Sequence, residues 1–283
     1  MAKLPIKQPT PTPIAATAVA TALAPNALAM TEADDMEAFA GGGMEKVTAN
    51  DLLIPRLTIV QALSPQRKKQ DPLFIPGCEE GDVVDVGTNE IIPRPIIVIP
   101  VIYDKVWLEW YPRNTNKGLA NIHTDASILE QCKVNERRQP ILPNGNYVAE
   151  TAQIYLLNGA LRWRPTFLPF GSTQLKKARR WMTLASNERL LNSQNKEFLP
   201  PLFYRSYELD TVAESNAEGD WYGWTIMPGK AMPELDSDYK NTLLPAAVAF
   251  LKSIQAGQVR GDTSGLADDA VTVDASTDDS RRM

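Results

Sequence analysis

Residues 94–113 read RPIIVIPVIYDKVWLEWYPR, and this run constrains the fold more than any other stretch of the chain. β-Branched side chains are stiff at χ1 and pack best on a pleated surface. Both faces of the run are apolar, which is the pattern of a central strand. A further strand is expected around Trp107–Tyr111. GDVVDVGTNEII (81–92) reads as two short strands around a Gly-Thr-Asn turn. NYVAETAQIYLLNGALRWRPTFLPF (146–170) reads as a hairpin across Asn158-Gly159, a favoured type I′ pair. LFYRSYELDTV (202–212) and DWYGWTIM (220–227) make another hairpin, in which Trp221, Tyr222 and Trp224 are expected to pack in the core. Ser172 is placed to cap a helix over TQLKKARRWMTLASNERLL, with Leu175, Ala178, Met182 and Ala185 as its buried stripe. A last helical segment spans about 237–255, where Pro245 breaks or kinks it.

Strands without βαβ alternation argue against a doubly wound sheet. The order predicts a mainly β (α+β) fold: an OB-type antiparallel β-barrel with a helix between its third and fourth strands and a C-terminal helix. An irregular β-sandwich fits the same pattern. A single β-rich, nucleic-acid-binding domain is expected over 46–256. Residues 1–45 read as a disordered Pro/Ala/Thr-rich arm that ends at Gly41-Gly42-Gly43. Its start imitates a signal peptide, but the apolar run is rich in Ala and Thr and follows Pro5, Pro9, Pro11 and Pro13. Residues 257–283 hold six Asp, no Lys and no aromatic residue, and read as a disordered acidic tail.

The chemistry is concentrated in RWRPTFLPFGSTQLKKARRWM (162–182). It carries six basic residues and no acid, in a chain of formal charge -5. No acid occurs between Glu150 and Glu188, so no ion pair within this helix neutralises it. On a strand, Arg162 and Arg164 share one side with Phe170, while Trp163 and Phe167 point into the core. On the helix, Lys176, Lys177 and Arg180 form an arc opposite the apolar stripe, with Arg179 toward its border and Trp181 at its edge. Such a surface tracks phosphates and offers rings for stacking bases. The plain alternative is a solvated helix back with both Trp residues in the core. KVWLEWYPRNTNKG (105–118) adds Trp107 and Tyr111 as exposed rings, or Trp110 alone, and Arg113 in a polar loop.

Enzyme signatures are weak. No P-loop, dinucleotide fingerprint, HExxH or GxSxG occurs. The single histidine, His123, forbids a His-rich metal site, and Cys78 and Cys132 stand apart from any Cys/His cluster. No run approaches the length needed to span a bilayer. Clustered carboxylates in PELDSDYK (233–240) read as caps before a helix, with a magnesium nuclease as the competing view. No catalytic residue, metal or cofactor is assigned.

At LLIPRLTIVQALSP, IPGCEEGDVVD, PFGSTQLKKARRW and GDWYGW the chain resembles a family of tailed-bacteriophage proteins, some regarded as single-stranded-DNA-binding replication or recombination proteins. The likeness covers about residues 50–230. It implies binding of single-stranded DNA in the cytoplasm of an infected bacterium, through a strand–helix element that matches Arg162, Arg164, Lys176, Lys177, Arg179 and Arg180. The acidic tail would recruit replication or recombination proteins, although it ends in SRRM rather than in acids and a ring. A non-enzymatic virion or host-interaction protein is the alternative.

Overall fold

Strand propensity and sheet pairing agree along most of the chain. The structure, a computed structural model, describes residues 53–261 except 116, 137–138 and 217–218, together with 42, 43, 45 and 46. The chain divides into a unit Met1–Lys46 and a unit Val47–Met283, and the fold below is that of the second. The arm expected over 1–45 and the tail beyond Gly261 lie outside the described residues, apart from the four positions near 45.

In chain order the strands begin with β1 (Leu53–Ile54), β2 (Leu57–Ile59), β3 (Val83–Asp85), β4 (Glu90–Ile92) and β5 (Ile96–Trp110). There follow β6 (Leu119–His123), β7 (Lys133–Val134), β8 (Pro140–Ile141), β9 (Tyr147–Asn158) and β10 (Arg164–Phe170). Helix α1 (Leu175–Ser186) leads to the small hairpin β11 (Leu190–Leu191) and β12 (Glu197–Phe198). The chain continues through β13 (Arg205–Asn216), β14 (Gly219–Ala231), α2 (Met232–Leu235), α3 (Leu243–Gln255) and β15 (Arg260–Gly261).

The fold is mainly β, as expected. Five long antiparallel strands lie in the order β14-β13-β5-β9-β10. Numbered by themselves along the chain, they run 5-4-1-2-3, with α1 between the third and fourth. The sheet curls into a half-barrel consistent with an OB-like barrel. The small sheet β2-β3-β4 spans its open side. At one edge Phe167 N donates to Pro55 O at 2.9 Å, beside an Arg56–Phe167 bridge. At the other, the Gln61 side chain pairs with both backbone groups of Tyr222, at 2.8 and 2.9 Å.

Run 94–113 is one strand, not two. A bulge between Pro100 and Ile102 inserts Val101 and exchanges the two faces. Ile96 and Val98 enter the barrel core, whereas Ile99 and Val101 join a second core beneath α3. This is why both faces read as apolar. Pro245 does not break α3. It occupies the first turn, where its missing N–H has no helical partner to lose. The expected tail boundary at 256 also moves, because Arg260–Gly261 pairs in parallel with Leu53–Ile54.

Helix α1 closes the barrel core. Ala178 and Trp181 are fully buried, and Leu175, Met182 and Ala185 pack around them. Trp181 meets Tyr207 edge-on at 5.1 Å and Phe170 at 6.2 Å between ring centroids. Ser172 makes no capping bond. It lies in a short turn, Ser172–Gln174, with φ +45°. Replacing Trp181 with Ala should lower stability by about 3–5 kcal/mol, the range for a large buried ring. A urea titration checks this, and an unchanged midpoint would remove Trp181 from the core.

Candidate nucleic-acid interface

The β9–β10 connection is not a two-residue type I′ turn. Asn158 Oδ1 accepts from Ala160 N at 3.0 Å and opens a short helical turn over Gly159–Leu161. Arg162 and Trp163 then both take left-handed conformations, φ +54° and +61°. Each such non-glycine residue costs on the order of 1–3 kcal/mol and persists only where its surroundings enforce it. Arg162 is therefore a turn residue and does not share a strand face with Arg164. Trp163, expected in the core, is half-buried at the turn. Arg162 and Arg164 are both exposed.

The helix cations lie at the other end of β10. Arg164 pairs with Asn158 and Phe170 with Ala152, a separation of six residues or roughly 20 Å along the strand. The turn arginines and the helix arc thus form two groups rather than one continuous patch. Within the arc the residues differ. Lys176 and Arg180 are exposed and have no carboxylate partner among the described residues. Lys177 pairs with Glu214 at 2.7 Å, its side chain only 16% exposed. Arg179 pairs with Glu150 at 2.9 Å but remains 58% exposed, and Lys105 shares that carboxylate. Acids distant in the sequence neutralise what local acids do not.

The Lys177 pair belongs to the docking of α1. Glu214 also accepts from Trp221 Nε1 at 2.8 Å, and Gln174 accepts from Trp224 N at 3.0 Å. Burial pushes the Glu214 carboxyl up, but Lys177, Trp221 and Gln174 outweigh it and hold the group below the ordinary range. Gly223 makes room: a Cβ there would stand 2.5 Å from Lys177 Nζ and 2.4 Å from Glu214 Oε2.

Two of the expected stacking rings are core residues. Phe170 and Trp181 are both 0% exposed and unavailable to a ligand. Trp110 is buried too, stacked near Tyr147. Trp107 is half-buried against Ile128, Leu142 and Val148. Tyr111 is 37% exposed, with Lys117 Nζ 5.4 Å from its ring centroid. Arg113 opens the turn Arg113–Thr115. In the second hairpin Trp224 is buried, Tyr222 packs against the core and Trp221 is half-buried.

The one histidine is tied to a carboxylate. His123 Nε2 lies 2.8 Å from Glu109 Oε2, and Glu109 Oε1 accepts from Asn146 at 2.6 Å and Asn144 at 3.1 Å. Burial raises the Glu109 carboxyl, but Asn146, His123 and Asn144 outweigh it and leave it depressed. Among the described residues no group of three or more His, Cys, Asp or Glu side chains is arranged to hold a metal ion. Asp236 and Asp238 accept hydrogen bonds from Thr242 and Asn241 and so organise the start of α3.

The family described as Pam3 phage gp34-like protein matches residues 22–260. The chain belongs to this bacteriophage protein family. No curated protein and no solved structure matches it. In this phage protein, sequence reasoning missed Glu150 and Glu214 as partners of the basic helix. The hairpin register of β13 and β14 was the available signal for Glu214, since it sets Glu214 opposite Trp221.

Two outcomes follow from these pairings. Lys177→Ala should cost up to about 1 kcal/mol in urea titration, whereas Lys176→Ala should leave the midpoint unchanged. Glu109 has a lower pKa folded than unfolded, so the unfolded chain binds the proton first as pH falls below about 4.3. The stability it contributes is therefore present above that pH and lost below it. Glu109→Gln should show a smaller loss of stability between pH 6 and pH 3.5 than the parent chain.

Proposed function

We propose that this phage protein binds single-stranded DNA without sequence preference, as a non-enzymatic component of replication or recombination in the infected host's cytoplasm. The observation that carries the reading is the pattern of exposed cations on an acidic chain. Lys176, Arg180, Arg162 and Arg164 are exposed without carboxylate partners among the described residues, and Arg179 is exposed beside a shared one. They flank β10, the third long strand of an OB-like half-barrel, an architecture whose second and third strands carry oligonucleotide sites in many proteins. Lys177 is withdrawn from this set, as are Phe170 and Trp181. Binding then rests on phosphate tracking more than on stacking. The acidic C-terminal residues would compete for the cations and recruit partner proteins.

A second reading, a virion or host-interaction protein, is favoured by the apolar surface around the β11–β12 hairpin, where Leu191, Phe198 and Leu199 are all exposed. Presence in purified particles together with no DNA affinity would establish it.

Titration of labelled oligo-dT at two salt concentrations tests the first reading. Each neutralised phosphate contributes about 0.7 to the log–log salt slope. With four phosphates engaged, a fourfold rise in salt should lower affinity roughly 50-fold. Charge reversal of Lys176 and Arg180 together should reduce the slope by about 1.4. No binding at low salt would overturn the reading.

A further inference from the structure

An apolar cleft of about 710 Å3 opens between the β9–β10 turn and helix α3. That volume is typical of small-molecule and cofactor sites. Leu157 lines it from the sheet, Trp163 from the turn, and Ala246, Ala249 and Phe250 from the helix. The Trp163 ring is held from behind. A Cβ added at Gly159 would lie 2.9 Å from Ile97 O and press on the ring, 3.1 Å from Trp163 Cη2, so glycine leaves room for both. The two left-handed residues at 162 and 163 complete that placement. Strain of this kind clusters at ligand clamps.

Charge is distributed unevenly along the lining. Arg164 borders the cleft and is exposed, and its Nε donates to Leu161 O at 3.3 Å. Asp85 also borders it but is fully buried. Asp85 Oδ1 accepts from Gly87 N at 2.8 Å and Thr88 N at 3.3 Å, and Oδ2 is enclosed with no hydrogen bond among the described residues. A phosphate is drawn to the exposed guanidinium and repelled by the buried carboxylate. An uncharged flat ring suits the apolar walls between them.

We propose that this cleft takes one base of a bound single strand, its ring against Trp163 and its neighbouring phosphate on Arg164. The inference rests on the single-strand reading above and adds a base site to it. Aromatic stacking tolerates every base, so the cleft selects for the presence of a base and not for its identity.

The test compares the full-length protein's affinity for oligo-dT with that for an abasic strand of the same length and charge. The intact protein should prefer oligo-dT by roughly 5- to 150-fold, the range of a single base–ring stack. Ala249→Trp fills the cleft from an exposed helix position and should erase the preference while leaving abasic binding unchanged. Trp163→Leu should lower the preference for oligo-dT over the abasic strand, with a urea titration confirming that each variant is folded. Equal binding of both strands by the intact protein, or a preference that survives Ala249→Trp, overturns the base site and leaves phosphate tracking in place. Failure to bind either strand overturns both.

Discussion

One strand, β5, serves two cores, and one inserted residue, Val101, switches which of its alternating positions meets each. Before the bulge, the even-numbered Ile96 and Val98 of β5 face the barrel interior; after it, the odd-numbered Tyr103 does. Plain alternation sends Ile96 and Val98 toward α1 and Ile99 toward α3, and the inserted Val101 joins Ile99 in the second core. A simple one-residue slip would turn every side chain of the strand to the wrong face. The bulge confines that inversion to one point, and the added twist helps the sheet curl.

Much of the fold was legible in the sequence because its signals are local. Alternation and β-branching marked β5, β9, β10, β13 and β14, and the spacing of apolar residues marked α1. The failures came where a side chain overrode a generic preference. Asn158-Gly159 is a favoured tight-turn pair, yet the Asn158 side chain captures Ala160 N and starts a helical turn instead. Pro245 signals a break in the middle of a helix, but the helix begins only two residues before it.

The candidate site was less legible, for a reason of scale. The basic stretch has no acid within 11 residues on its N-terminal side, and inspection of one helix shows no counter-charge. Glu150 and Glu214 arrive through sheet register, from strands separated in sequence by the whole helix. Trp181 misled in a similar way. Its neighbours Arg179 and Arg180 suggest a wet surface, but burial is decided by where the helix docks, and it docks on Tyr207 and Phe170. Trp163 erred in the opposite sense, since strand alternation assigned it to the core when it belongs to a turn.

The parallel pairing of Leu53–Ile54 with Arg260–Gly261 has an architectural consequence. Partner residues on adjacent strands lie about 5 Å apart, so the first and last described strands of this unit lie side by side. The remainder of the domain is a closed loop in all but covalent connection. A short linker could join those two points at little cost in loop entropy, and new ends could be opened at the Asn192–Lys196 turn.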